Sequence, residues 1–227
     1  TSVSFSPFDA KNRRTEAVID QGGQQLRVIK GAMRATATAC GLDAAAIDAL
    51  EARVADSARE GYRTLAVAQG PVTSTPSLLG LVTLVDPLRP DAGQLVAELR
   101  DLGVRVKMLT GDALPVAIEI GKGVGLPNIR RVDELKAAGV KKGGPADDFL
   151  SDVDGFAEVY PEDKYTVVQH LQATGHVTGM TGDGVNDAPA LRQAEVGIAV
   201  STATDVAKGA ASVVLTSAGL TDIVALV

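Results

Sequence analysis

Two carboxylates four residues apart on a glycine-rich turn concentrate the chemistry of this chain. They are Asp183 and Asp187 in Met180-Thr-Gly-Asp-Gly-Val-Asn-Asp-Ala-Pro-Ala-Leu191, a segment running from an apolar stretch into a helix start. Hard cations take oxygen ligands, and Mg²⁺ is commonly held by one or two carboxylates together with substrate phosphate. Open α/β sheets also place ligands at turns on the carboxyl ends of their strands. Gly182 and Gly184 permit close backbone approach and positive φ. A plain alternative exists for Asp187, which can N-cap the helix that Pro189 helps to start. That alternative leaves Asp183 without a reason.

Other residues could complete a phosphate site. Thr110-Gly111-Asp112 follows an apolar run and precedes a helix. A hydroxyl beside the amides of a helix N-terminus suits a phosphate oxygen, although on its own the tripeptide reads as a turn with an N-cap. Lys164 falls in the first turn of a helix, against the dipole. Pointed inward, it would clamp a phosphoryl group or neutralise carboxylates. Lys30-Gly31-Ala32 ends a strand, where Gly31 would let a ligand pack on the backbone beside the Lys30 charge. Arg63 offers a second cation for the same ligand.

The elements that position these groups follow from periodicity and turn residues. Residues 1 to about 35 read as short strands, with Glu16–Ile19 and Leu26–Lys30 joined through Gln21-Gly-Gly-Gln24. Ala44–Arg59 is a helix with Ile47, Leu50 and Val54 as its apolar stripe. Thr64–Ala68 and Leu78–Val85 are strands separated by a loop at Gly70–Pro76. Helices and strands then alternate. Helices are expected at Ala92–Leu102, Pro115–Val124, Glu162–Ala173 and Ala188–Gln193. Strands are expected at Val104–Leu109, Glu158–Tyr160, His176–Met180, Val196–Val200 and Ser212–Leu215. Alternation of this kind implies a mostly parallel sheet with helices on both faces. The polar stretch from Lys136 to Asp154 reads as a surface connection.

Composition narrows the function classes. The chain has 227 residues, 45% hydrophobic and 22% charged, as in an ordinary globular protein. A net charge of -6 argues against nucleic-acid binding, which needs basic patches. Aromatics are only 3%, and the lone Cys40 excludes both an internal disulfide and a cysteine metal site. No apolar stretch approaches the roughly 18 residues of a membrane span. The N-terminus lacks the pattern of a secretory signal. It also lacks an initiator Met, which suggests a piece of a longer protein.

Taken in order, Lys30-Gly-Ala32, Asp86-Pro-Leu-Arg89, Met108-Leu-Thr-Gly-Asp112, Tyr160-Pro-Glu-Asp-Lys164 and Thr181-Gly-Asp-Gly-Val-Asn-Asp-Ala-Pro-Ala190 resemble the cytoplasmic part of P-type transport ATPases. Phe8-Asp-Ala-Lys-Asn-Arg-Arg-Thr-Glu16 and Met108–Pro115 are most similar to the plasma-membrane proton-pump branch. The resemblance implies an α/β fold, with a Rossmann-like parallel sheet of the haloacid dehalogenase superfamily preceded by a partial α+β nucleotide-binding domain. Residues 1–86 would be the later part of the nucleotide-binding domain and residues 87–227 the phosphorylation domain, with Asp86 and Arg89 at the hinge. ATP and Mg²⁺ would be the cofactors. Lys30, Gly31 and Ala32 would meet the adenosine, and Arg63 the phosphates. Thr110 and Gly111 would hold the transferred phosphate, with Asp112 supporting their loop and Lys164 steadying the phosphoaspartate. Asp183 and Asp187 would form the metal site, supported by Asn186. Partners would be the membrane and actuator domains of the same polypeptide, at the cytoplasmic face of a membrane.

One departure matters. The family's nucleophile lies in an Asp-Lys-Thr-Gly segment, and this chain has none; Asp163-Lys164 is followed by Tyr165. The nucleophile strand would precede Thr1, so the chain alone is expected to be unable to form the aspartyl phosphate. Two other readings are a non-catalytic nucleotide- or Mg²⁺-binding regulatory module, and a soluble phosphatase of the same superfamily separated from its nucleophile strand. The transported ion is not legible, because selectivity would reside in membrane helices.

Overall fold

The structure, a computed structural model, describes residues 2–9, 11–138, 145–217 and 221–226. The chain divides into two compact units, Thr1–Pro87 and Leu88–Val227.

In the first unit, strands β1 (Ser2–Asp9), β2 (Arg14–Gln21), β3 (Gln24–Gly31), β4 (Arg63–Pro71) and β5 (Ser77–Leu84) pair antiparallel in chain order. The β2–β3 turn is the Gly-Gly dipeptide, whose φ values of 67° and 84° suit a tight hairpin that residues with a Cβ would resist. Helices α1 (Met33–Ala39) and α2 (Ala44–Arg59) cover one face. Asp43 caps α2 by accepting the Ala46 N–H at 2.8 Å. Ile47, with Leu50 and Val54 beside it, packs with Met33, Ala37 and Ala66 into the core of this unit. The expected helix stripe is therefore in place, while α1, too short to show a period, was not anticipated.

Cross-strand partners fix which residues share the other face. Lys30 lies opposite Thr15 and Val67, and Val28 opposite Ala17 and Gln69. Counting in twos along β4 adds Leu65 and Arg63, and their neighbour Val82 on β5 is 46% exposed. No helix of this unit covers that face among the described residues.

The second unit alternates helix and strand as expected. Its elements begin with α3 (Ala92–Asp101), β6 (Met108–Leu109), α4 (Leu114–Gly123), β7 (Ile129–Arg131), α5 (Val132–Ala138), α6 (Pro145–Asp152) and β8 (Gly155–Ala157). They continue with α7 (Pro161–Ala173), β9 (Gly179–Gly182), α8 (Ala188–Gln193), β10 (Val196–Ala199), α9 (Asp205–Ala210), β11 (Val213–Val214) and α10 (Thr221–Leu226). The strands form two three-stranded parallel sheets, ordered β6-β8-β7 and β11-β10-β9. Gln172 and Thr178 grip Glu195; the Thr178 hydroxyl and N–H, the main causes, hold this carboxyl down to about 2 and tie the β9 approach to β10.

The strand expected at Val104–Leu109 is confined to Met108–Leu109, the one expected at His176–Met180 lies at Gly179–Gly182, and two further expectations differ from the structure. Lys136 to Asp154 is not merely a connection, since α5 and α6 occupy much of it and residues 139–144 lie outside the described residues. Leu135, Leu150 and Val153 are buried in one cluster with Phe156 and Val167. Polar composition hid these few apolar residues on single helix faces. The strand expected at Glu158–Tyr160 lies at Gly155–Ala157 instead, because Glu158 turns into the left-handed region at φ 58°.

Lys107, just before β6, offers a stability test. Burial, with Arg105 adding like charge, pushes its ammonium down to about 8, and its Nζ donates to the Val153 carbonyl at 2.6 Å. Below that value the ammonium is charged whether the chain is folded or not, so folding bears the whole desolvation. Between about 8 and 10.5 the folded chain gives up the proton first, and stability rises with pH. Lys107→Met should therefore stabilise at pH 7 by about 1 kcal/mol, less than the full shift implies, because the side chain is partly solvated and the carbonyl loses its donor. Urea unfolding should show this gain shrinking at pH 10. A gain independent of pH would refute the cause.

Candidate active site

Strand β9 ends in the turn that carries the two carboxylates. Asp187 does not cap α8 with its side chain. It turns back over the 3₁₀ turn Val185–Asp187, where Oδ2 accepts the N–H groups of Asp183 at 3.1 Å and Gly184 at 3.0 Å. Its other oxygen takes the Lys164 ammonium at 2.6 Å. This fold-back explains Gly182, since a Cβ there would sit 2.5 Å from the Asp187 Cβ. The close approach foreseen at Gly182 is thus filled by the protein itself. Neither Gly182 nor Gly184 uses the positive φ that a glycine permits, with Gly184 at φ -104°. Burial pushes the Asp187 carboxyl up, but the Lys164 ammonium and the two amides outweigh it and hold it below the ordinary carboxylate range. With Asp187 so engaged, Asp183 is the carboxylate that stands exposed in the turn, beside exposed Asn186. The Asp183 carbonyl accepts the Thr204 N–H at 2.8 Å, tying the turn to the start of α9.

Lys164 reaches this turn from the first turn of α7 and is 22% exposed. Its position against the dipole is offset by Glu162 and Asp163 beside it. Asp163 is almost wholly buried, accepts the Tyr160 N–H at 2.9 Å and pairs with Lys136 at 2.7 Å. Nothing in the sequence spacing joined Lys136 to Asp163.

Thr110 closes β6. Its hydroxyl donates to Asp112 Oδ2 at 2.9 Å and accepts the Asp112 N–H at 3.1 Å, so the two residues brace one turn. The residue at the N-cap of α4 is Ala113, not Asp112. Gly111 is exposed at the tip of this turn. Val159 N–H bonds the Thr110 carbonyl at 3.0 Å, and the next residue, Tyr160, precedes α7. Hydrogen bonds and a few covalent steps therefore link Thr110, Lys164, Asp187 and Asp183.

Strands β6 and β9 each close their sheet with no further neighbour among the described residues. Met108 and Thr110 direct their N–H groups to the carbonyls of Asp154, just before β8, and Phe156 within it, which turns the Leu109 backbone to the other side. The Thr178 and Gly182 carbonyls serve β10, so Gly179 and Thr181 turn away from it, and both are exposed. Parallel sheets are ordinarily paired and covered. Here Leu109 packs against the cores of both sheets, and consecutive Val167 and Val168 of α7 enter one core each.

The first unit holds the residues expected to meet a nucleotide. Lys30 is exposed amid the apolar sheet face, and Arg63 stands four residues along the neighbouring strand from Lys30's partner Val67. Strand spacing puts the two backbones about 14 Å apart on that face. Gly31 is buried under the β1–β2 connection, where a Cβ would meet the Arg13 carbonyl at 2.5 Å. Its glycine therefore answers to the fold, and Ala32 donates its N–H to the same carbonyl at 2.9 Å. Asp86 is exposed before the unit boundary; Arg89, beyond it, pairs with Asp91 at 3.0 Å. The described residues contain no helix long and apolar enough to cross a membrane. They also contain no cluster of three His, Cys, Asp or Glu suited to a metal.

The family model of haloacid dehalogenase-like hydrolases matches residues 10–195. Plasma membrane ATPase 1 of Saccharomyces cerevisiae is 39% identical over 98% of this chain and 25% of its own length. The plasma membrane ATPase of Kluyveromyces lactis is likewise 39% identical, over 98% of this chain and 26% of its own. A Methanocaldococcus jannaschii protein named as a candidate cation-transporting ATPase is 42% identical, over 97% of this chain and 28% of its own. The chain thus spans about a quarter of the length of the curated relatives it matches. With the family model covering most of its residues, the chain belongs to the haloacid dehalogenase-like hydrolases.

Proposed function

We propose that this chain is the later part of the cytoplasmic region of an ion-pumping P-type ATPase, of the proton-exporting kind. The parent would pass the ATP γ-phosphate to an aspartate and then hydrolyse the acyl phosphate. The observation that carries this reading is the path of hydrogen bonds and a few covalent steps from Thr110 through Lys164 and Asp187 to Asp183, beside the parallel strands β6 and β9, each without a further neighbour among the described residues.

In this reading the nucleophile enters on a strand from outside the chain, pairing with β6 on one side and β9 on the other. Its carboxyl end would lie between the Thr110 and Asp183 turns. Thr110 and the Gly111 amide would hold phosphate oxygens, with Asp112 fixing the Thr110 hydroxyl. Lys164, held by Asp187 at 2.6 Å, would face the phosphoryl group. Asp183, aided by Asn186, would hold Mg²⁺, whose preference for a few carboxylates and retained water suits one free carboxylate better than a closed cage. When bound, Mg²⁺ supplies positive charge against the transferring phosphoryl group.

Residues 1–86 would serve as the later part of the nucleotide domain, with ATP on the open sheet face. Lys30 would lie at the adenosine and Arg63 toward the phosphates, with Gly31 and Ala32 shaping the strand end. Asp86 to Arg89 would be the hinge into residues 87–227, the phosphorylation domain. Membrane and actuator domains of the same polypeptide would be the partners, placing this region at the cytoplasmic face.

Labelled ATP with Mg²⁺, followed by acid quench, tests the reading. This chain alone should carry no label. A chain extended upstream through an Asp-Lys-Thr-Gly segment should carry acid-stable, hydroxylamine-sensitive label. Such label on this chain alone would sink the claim that its nucleophile lies elsewhere.

A further inference from the structure

Glu158 is one of two non-glycine residues with positive φ among the described residues, and its strain lies at the mouth of the site. It follows β8 immediately, so its left-handed backbone ends that strand and redirects the chain toward α7. The turn delivers two backbone donors to the Thr110 loop: Glu158 N–H bonds the Asp112 carbonyl at 2.9 Å, and Val159 N–H bonds the Thr110 carbonyl at 3.0 Å.

The side chain acts on the same loop from its far end. Helix α4 begins after Ala113, which has no side-chain oxygen to satisfy the first N–H groups. Glu158 Oε1 lies 3.4 Å from the Leu114 N–H, a long contact with a helix N-terminus that favours negative charge. Arg131 holds the other oxygen at 3.1 Å. The loop from Thr110 to Leu114 is thereby held by two consecutive residues of the turn after β8, Val159 at Thr110 and Glu158 at Asp112 and Leu114. A strained conformation is retained where the surroundings over-determine it, commonly at functional sites.

We infer that Glu158 is a positioning residue: it holds the Thr110–Asp112 loop in its phosphate-receiving shape by capping α4 from the turn that follows β8. The inference rests on the phosphate role assigned above to Thr110. Glu158 touches neither phosphate nor metal in this scheme.

The test measures inorganic phosphate binding to this chain with Mg²⁺ present, by phosphorus NMR titration, alongside thermal unfolding. Loss of an outer-shell support typically weakens a site about 10-fold or more, and Glu158→Ala should weaken phosphate by about that factor. Glu158→Gln still offers an acceptor to Leu114 N–H and should stay within about 3-fold of the parent. Glu158→Gly relaxes the left-handed backbone, so its Tm should exceed that of the Ala variant while phosphate remains weakened. Glu158→Gly binding phosphate as well as the parent would overturn the inference, and so would equal losses in Ala and Gln. Thr110→Ala separates the two levels. If it leaves phosphate affinity unchanged, or if the parent shows no saturable binding, the site assignment itself fails; if Thr110→Ala weakens binding and Glu158→Ala does not, only the positioning role fails.

Discussion

Asp183→Asn should weaken Mg²⁺ binding, measured by calorimetry with phosphate present, by roughly 100-fold, whereas Asp112→Asn should weaken it by roughly 10-fold or less. The two aspartates flank the same site but differ in what they do. Asp112 is half-buried and accepts the Thr110 hydroxyl, so its loss loosens a loop while removing no proposed ligand. Asp183 is exposed, and its backbone is fixed at both ends, by Asp187 at its N–H and by Thr204 at its carbonyl. A carboxylate on so restrained a backbone has little freedom left to lose on binding. Its amide replacement keeps shape and one oxygen but lacks the charge a hard dication needs. Equal effects of the two substitutions would reject Asp183 as the metal ligand.

Much of this site was legible because it is local. The Asp183 turn is a continuous segment whose two carboxylates raise the expectation of a cation, the Thr110 turn on its own reads as a turn with a cap, and the periodicity around them placed most flanking helices within a residue or two. Ala44–Arg59 emerged with the bounds expected of it, since its cap Asp43 and its stripe both lie in sequence. What escaped depended on tertiary context. Asp187 reads as a helix cap along the chain, yet its carboxylate folds back once Lys164 and two amides are brought near. Gly31 reads as a ligand contact, yet the β1–β2 connection takes its space. Glu158 carries no mark of a left-handed residue, because the conformation is imposed by β8 ending against the Thr110 loop. Polar tracts hid the α5 and α6 cores in the same way: one or two apolar residues per turn suffice when the neighbours supply the rest.

Asp187→Asn should lower the stability of the chain by about 3 kcal/mol at pH 7, the lower end for removing one partner of a buried ion pair. The Asp187 side chain is 6% exposed and Lys164 22%, so the pair is shielded but not sealed. Every group around the carboxylate is a donor: the Lys164 ammonium and the Asp183 and Gly184 amides. An asparagine amide must turn its own NH₂ toward one of them, leaving two donors opposed in a low-dielectric setting. The carboxyl is held below its ordinary range, so its stabilisation is fully present above the ordinary carboxylate pKa of about 3.9 and is lost as pH falls through the folded value. The gap between parent and Asp187→Asn in urea unfolding should accordingly close in acid. Lys164→Met should cost less, since both amides still satisfy the carboxylate. The double variant should show a coupling of roughly 1 to 3 kcal/mol, the range for residues in direct contact. Strict additivity would mean that Lys164 is held by something other than Asp187. Coupling of that size would mean that the proposed phosphoryl clamp and the turn bearing Asp183 form one unit, so that loosening either displaces both.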